Sequence, residues 1–300
     1  MWAKAGIFVA LAGFTLWSAA VFLESLRRAR SRDQALPAPS FAHLATGFVT
    51  NFLDTLGIGS FATTTAIFKF RRMVPDRLIP GTLNVGHSLP VIFQAFIYIS
   101  AIKVDPATLT LMIASAVVGA WFGAGLVARL SRRAVEVGMS IALLAAAAAM
   151  LMSQLNLFPV GGDSLELAGW RLIAGMAGNL LFGAVSTLGI GFYAPCMTLV
   201  SLLGMNPTAA FPIMMGSSAF LMPAASVRFI WSSAYYVPVA IGLAVGGILG
   251  VPLAAFVVKS LPLRSLRWLV IAVVLYAAVL MLRSALESRE KIGSPAEVTS

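Results

Sequence analysis

Hydrophobic residues form long runs along this chain, and polar residues gather in the short stretches between them. The runs long enough to form helices cover 5–23, 41–70, 79–102, 107–128, 134–155, 172–204, 208–230, 234–258 and 268–282. A helix needs about 20 apolar residues to cross the hydrocarbon core of a bilayer. The pattern therefore predicts an all-α, polytopic integral membrane protein.

Two of these runs, 41–70 and 172–204, are longer than a single crossing requires, at 30 and 33 residues. Each contains the sequence TLGIG, at 55–59 and at 187–191. Glycine weakens a helix interior, so we expect each run to form two half-helices joined at a break. The part of the first run before its break is about 24 Å long as a helix, which enters a core of about 30 Å without crossing it comfortably.

The two broken runs belong to a duplication, because an offset of 132 residues superimposes both TLGIG segments and places Pro80 on Pro212. If every run crossed the membrane, 10 basic residues would share a side with the basic cluster at 27–32, and 11 would lie opposite. If each broken run is a hairpin, the division becomes 15 to 6. Basic residues concentrate in cytoplasmic loops, so we predict hairpins and, with three crossings in each repeat, an inverted second repeat.

This topology predicts four parts along the chain. They are an N-terminal transmembrane helix with its basic loop at 1–32, a first repeat at 41–155, a second repeat at 168–285, and a cytoplasmic tail at 286–300. The first apolar run has 19 residues and the basic cluster follows it. A signal peptide has a shorter apolar stretch preceded by its basic residues, so we expect an uncleaved helix.

Composition agrees with a membrane protein, since 59% of the residues are hydrophobic and 11% are charged, against about 25% charged in soluble domains. We assign the net charge of +10 to cytoplasmic loops and predict no nucleic-acid partner. The single cysteine, Cys196, excludes an intrachain disulfide and a cysteine-rich metal site. We predict no cofactor and no metal.

The breaks are suited to an anion, because the free N–H groups and the dipole at the start of each second half-helix favour negative charge. We favour close helix packing for two other glycine-rich stretches, at 119–123 and 178–183. The predicted substrate-binding residues are those of the breaks together with polar residues of the following helix in each repeat. They are Thr55, Gly57, Gly59, Ser60, Thr187, Gly189, Gly191, Asn84, His87, Ser217 and Ser218.

Two ionisable residues inside apolar runs, Asp54 and His87, are candidates for proton coupling. An intramembrane carboxylate is by default a functional hypothesis, but Asp54 directly precedes the first break and is equally placed to cap the helix after it. His87 is placed either to carry a proton or to make hydrogen bonds between packed helices. Ser186 occupies the position of Asp54 in the second repeat, so any protonation role is asymmetric.

The segments GFVTNFLDTLGIGSFATTT (47–65) and GNLLFGAVSTLGIGFYAPCMTL (178–199) resemble the two signature segments of the sulfite exporter TauE/SafE family. GAWFGAGLVARL (119–130) and GGILGVPLAAFV (246–257) resemble its second recurring motif, and the likeness covers about 40–285. The resemblance implies a secondary transporter of sulfite, organosulfonates or related small anions, including carboxylates. The inverted repeats with matching glycine-interrupted segments predict a site near the membrane midplane, between the two broken helices and reached by alternating access.

We therefore predict a permease rather than an enzyme. Its predicted partners are a small anionic substrate, the lipid bilayer and protons as a coupling ion. We place it in a bacterial plasma membrane with its C-terminus in the cytoplasm. Two other classes stay open: a membrane assembly or sensor protein without transport, and an intramembrane enzyme. Two observations oppose an intramembrane enzyme. Away from their ends, the apolar runs do not provide a second carboxylate to pair with Asp54, and no serine directly follows the second LGIG. Sequence leaves the oligomeric state undetermined.

Overall fold

The computed structural model describes residues 2–31, 38–56, 58–157, 161–189, 192–206 and 209–257, and ten positions between 268 and 286. The described chain is helical, and no β-strand forms within it. A 3₁₀ turn at Asp76–Leu78 precedes the fourth α-helix. The α-helices are α1 (Trp2–Ser31), α2 (Phe41–Thr55), α3 (Ser60–Arg71), α4 (Ile79–Ala101), α5 (Pro106–Val127), α6 (Arg132–Gln154), α7 (Gly169–Ser186), α8 (Tyr193–Leu202), α9 (Ala210–Trp231) and α10 (Val237–Val257).

Local sequence signals set the starts of several helices. Ser40 caps α2, since its hydroxyl accepts from the His43 N–H and the His43 ring accepts from the Ser40 N–H. The Asp105 carboxylate accepts from the Thr108 N–H at 2.8 Å, directly before Pro106 at the first position of α5. These side chains satisfy amide groups that a helix start leaves unpaired.

Each overlong apolar run is a hairpin of two short helices. In the first hairpin, the Thr46 hydroxyl near the start of α2 lies 4.0 Å from the Met73 sulfur, just past the end of α3. In the second, glycines of α7 lie against leucines at the far end of α8, with Gly178 against Leu199 and Gly175 against Leu203. The two arms of each hairpin therefore run in opposite directions, and both breaks lie at hairpin tips.

Helices of the two halves pack against one another through glycines. α2 packs on α10, with Gly242 against His43 and Gly250 against Phe48, and α5 packs on α7, with Gly123 against Ala184. In both pairs residue numbers rise in the same direction. The corresponding helices α4 and α9 instead run antiparallel, since Tyr98 stacks on Phe211 while Ser88 bonds to Ser226.

Five described helical segments are long and apolar enough to cross a membrane: 6–27, 76–101, 106–127, 210–231 and 237–255. The central one, α9, is almost wholly enclosed by protein and packs on α4, α5 and α1. Other helices, among them α5 with Phe122 and α10 with Leu249, expose large hydrophobic side chains, which is the pattern of helices that face lipid. The predicted all-α, polytopic membrane fold is confirmed.

Candidate functional site

A cavity of about 40 Å³ lies where the two hairpin tips approach α4 and α9. Holding one water takes about 10–15 Å³, so this space admits a few waters or one small anion. The first break, the second break and α9 all contribute to its wall. Its lining residues are Asp54, Gly59, Ser60, Phe61, Val91, Ser186, Phe192, Met214, Met215, Ser218, Leu221 and Met222.

At the first break, an aspartate carboxylate caps the helix that follows. The backbone N–H of Ser60, the first residue of α3, donates to the Asp54 Oδ1 atom at 2.7 Å. Gly59 between them has φ +88°, a conformation that glycine adopts without steric cost. Asp54 thus makes the capping contact, and it also borders the cavity. Predicted residue Gly57 lies outside the described residues.

Two polar side chains of α4 hold the end of α2 beside this break. The Gln94 amide donates to the Thr55 hydroxyl at 3.0 Å, and the Tyr98 hydroxyl donates to the Thr55 carbonyl at 2.8 Å. Gln94 also donates to the Asn51 carbonyl at 3.5 Å. Thr55 is therefore buried in a hydrogen-bonded junction and is absent from the cavity lining.

The second break carries no acidic group at the corresponding position. Ser186 lines the cavity and donates to the Gly183 carbonyl. Thr187 is buried and donates to the Ala184 carbonyl, while Gly189 takes φ +102°. No side chain of the described residues caps the start of α8, which follows Phe192. Gly191 lies outside the described residues.

His87 lies behind the first hairpin, away from the cavity lining. It is fully buried, with its Nδ1 atom 3.0 Å from Asn51 Oδ1 and its Nε2 atom 3.0 Å from the Thr64 hydroxyl. Since the Asn51 amide nitrogen donates to the Gly47 carbonyl, its oxygen faces the ring. Nδ1 therefore carries the proton, and Nε2 accepts from Thr64. These contacts join α4 to both arms of the hairpin.

The remaining predicted residues are divided between packing and the cavity. Asn84 donates to the Pro80 carbonyl and, at 3.5 Å, to the Thr187 carbonyl, so it links α4 to the second break. The Ser217 hydroxyl accepts from Asn179 of α7 at 3.3 Å. Ser218, one residue further along α9, lines the cavity. The structure thus brings together Gly59, Ser60, Ser218 and Asp54.

Sequence reasoning missed the apolar part of the cavity wall. Phe61 and Phe192 follow the two breaks closely, and Met214, Met215 and Met222 lie on one face of α9. An aromatic residue soon after each TLGIG was a signal available in the sequence. The methionine face carried no such signal, because α9 is buried on nearly all sides. Glu136, one turn into α6, is a further buried acidic residue that was not singled out.

The two glycine stretches assigned to packing do lie at helix contacts. A Cβ on Gly119 would collide with the Leu180 carbonyl of α7, and one on Gly123 would lie 2.7 Å from Ala184 Cα. Gly183 faces Ala116 of α5, and Gly178 faces Leu199. In the second half of the chain, Gly246 and Gly250 face α2 in the same manner. These glycines let helix backbones approach closely.

Helices long and apolar enough to cross a membrane and two hairpins broken at matched positions, with a small cavity at their tips, are the architecture of a multi-pass membrane protein. The sequence model described as sulfite exporter TauE/SafE matches residues 41–281. The chain belongs to this family, which consists of membrane permeases and exporters. No curated protein and no solved structure matched the chain.

The contacts of His87 predict a stability effect. Replacing His87 with Ala leaves Asn51 and Thr64 without their buried partner, at a cost of about 1–3 kcal/mol for each group. We expect a lower midpoint in thermal unfolding of the purified protein and an unchanged pH profile of flux. His43→Ala is the matched control, because the His43 contact is exposed. Unchanged stability with a lost pH profile would identify His87 as a proton carrier instead.

Proposed function

We propose that this protein is a secondary transporter of a small anion, which binds in the cavity between the two hairpin tips. The observation that carries the proposal is the meeting of both breaks at one small cavity with Ser60, Ser186 and Ser218 in its wall. The Ser186 hydroxyl donates to the Gly183 carbonyl. The Ser60 and Ser218 hydroxyls and the start of α8 are therefore the proposed hydrogen-bond donors to an anion. Family membership supports transport as the activity, while the choice of anion is our inference.

The two breaks are proposed to have different roles. The start of α3 is occupied by Asp54, which would repel an anion while it is ionised. The start of α8 has no such group among the described residues, so we assign anion binding chiefly to that side of the cavity. Protonated Asp54 would remove the repulsion. We therefore propose Asp54, rather than His87, as the proton-coupling group.

We further propose that the two halves form an inverted repeat that supports alternating access. The antiparallel packing of α4 on α9 supports this, because equivalent helices of an inverted repeat run in opposite directions. The packing of α2 on α10 and of α5 on α7 supports it as well, because each of these pairs joins a helix of the first half to a helix of the second half. The first hairpin therefore packs, through α2, on α10 of the second half, and the second hairpin packs, through α7, on α5 of the first half.

Flux into sealed vesicles tests the proposed activity. Purified protein would be reconstituted and assayed with sulfite, sulfate, thiosulfate, sulfoacetate, taurine and small carboxylates. We expect saturable movement of at least one small anion down its gradient, and weaker movement of taurine, which carries no net charge. Protein-free vesicles are the control. If no solute moves although the protein is folded, the assembly or sensor class becomes the better description.

The proposed orientation predicts which loops are accessible from each side. In a Cys196→Ala background, cysteines at the exposed positions Arg72 and Arg129 should react with impermeant reagent only from the cytoplasmic side. A cysteine at the exposed position Glu166 should react only from the opposite side. The reason is the concentration of basic residues in cytoplasmic loops. Labelling of Arg72 and Glu166 sites from one side would overturn the inverted topology.

A further inference from the structure

We propose that the first hairpin binds an anionic phospholipid in the groove between its arms. This hairpin groove has a volume of about 740 Å³ and lies between the start of α2 and the end of α3, with Tyr276 on a third side. Its volume is in the range of specific ligand pockets, about 300–1,000 Å³. It is separate from the small cavity at the hairpin tip and shares no lining residue with it.

The wall of the hairpin groove is suited to an acyl chain. Phe41, Val49, Ile67 and Phe70 contribute hydrocarbon surface, and Phe41 and Phe70 are 83% and 70% exposed. Aromatic side chains left this open on a membrane protein contact lipid rather than protein. The groove is therefore a hydrocarbon site at the open end of the hairpin.

Positive charge marks one end of the hairpin groove. Arg71, in the last turn of α3, lines the groove, and Arg72 and Arg77 follow within six residues and are exposed. The acidic residue of this segment, Asp76, accepts an ion pair from Lys69 at 2.7 Å. The segment 69–77 therefore keeps a net positive charge. Arginine offers a planar pair of donors that matches a phosphate group.

Hydrocarbon and positive charge at one site favour an anionic phospholipid over a soluble anion. A soluble anion would leave the apolar wall uncovered, and a neutral lipid would leave Arg71 in the groove wall without a counter-charge. Basic pockets at the cytoplasmic ends of membrane helices bind anionic headgroups, and each basic residue contributes about five-fold to affinity. We place the phosphate at Arg71 and one acyl chain along Val49 and Ile67.

Native mass spectrometry of the full-length protein in detergent tests this site. Phosphatidylglycerol and phosphatidylcholine with identical acyl chains are the probes. We expect phosphatidylglycerol to be retained at least five-fold more strongly, and Arg71→Gln to reduce that preference about five-fold. Arg71→Lys keeps the charge and should keep most of the preference. Arg129→Gln is the matched control, since Arg129 is an exposed arginine outside the groove.

A second variant separates the groove from general surface charge. Val49→Trp fills the groove without changing charge, and we expect it to reduce retention of both lipids. Thermal unfolding of each variant checks that it is folded. Equal retention of the two lipids by the unmodified protein would overturn the proposal. Equal losses for Arg71→Gln and Arg129→Gln, or unchanged retention by Val49→Trp, would also overturn it.

Discussion

Replacing Asp54 with Asn is expected to abolish the pH dependence of anion flux while anion binding persists. The Asn side-chain oxygen still accepts from the Ser60 N–H, so the capping contact at the break is kept. The titratable proton is lost, and with it the change of charge at the edge of the cavity. Flux measured across a range of pH values in vesicles, together with a binding assay, checks both expectations.

Asp54→Ala and Ser186→Ala are the controls for this result. Asp54→Ala removes the cap as well as the proton, at a further cost of about 1 kcal/mol in stability. Ser186→Ala changes the corresponding position of the second half, where we expect a milder effect on flux and an unchanged pH profile. If Asp54→Asn keeps the pH profile of the unmodified protein, Asp54 is only a cap.

Whether Asp54 carries a proton decides how the membrane potential affects anion transport. Moving one charge against 100 mV costs about 2.3 kcal/mol. An anion leaving a cell that is negative inside is driven outward by the potential and needs no proton. Uptake of the same anion requires a compensating positive charge. A cap-only Asp54 would therefore make this protein a potential-driven exporter.

A leucine in place of Gly59, at the first break, should fill the cavity and abolish anion flux. Gly59 lines the cavity, and an added Cβ there meets no described atom within 4 Å, so a larger side chain enters open space. A leucine at this position would occupy most of the roughly 40 Å³ that the cavity offers. We expect Gly59→Leu to reduce vesicle flux to the level of empty vesicles while the protein still reaches the membrane.

Three variants separate this blockage from backbone strain and misfolding. Gly59→Ala meets the same unfavourable φ, worth about 1–2 kcal/mol, but leaves much of the cavity open and should keep partial flux. Gly189→Leu tests the second break, where the φ of +102° and the Met139 side chain oppose a larger residue. Gly123→Leu should instead lower expression, because it disrupts the contact of α5 with α7. Normal flux in both leucine variants at the breaks would refute the two-sided site.

The broken helices were predictable because their signal is local. Paired glycines inside an apolar run too long for one crossing allow few other structures in a membrane. The turn before Ser60 and the left-handed glycines Gly59 and Gly189 follow that signal. Helix packing through Gly119 and Gly123 was predictable on the same grounds, since small residues at this spacing are typical of membrane helix contacts.

The wall of the site was less predictable because it depends on contacts between distant parts of the chain. Gln94 and Thr55 are 39 residues apart, and Asn51 and His87 are 36 apart. A sequence pattern shows that such residues are polar and inside a run, but it does not show which one faces the cavity. His87 and Ser217 were thus grouped with Ser218, although only Ser218 lines the cavity.

Localising the transported anion tests the central claim most directly. A structure of the protein with the best anion from the vesicle screen should show that anion in the cavity beside Phe192 at the start of α8, within hydrogen-bonding distance of the Ser218 hydroxyl. The density should disappear in Gly59→Leu under the same conditions. An anion bound outside this cavity, in a protein that transports it, would contradict the account.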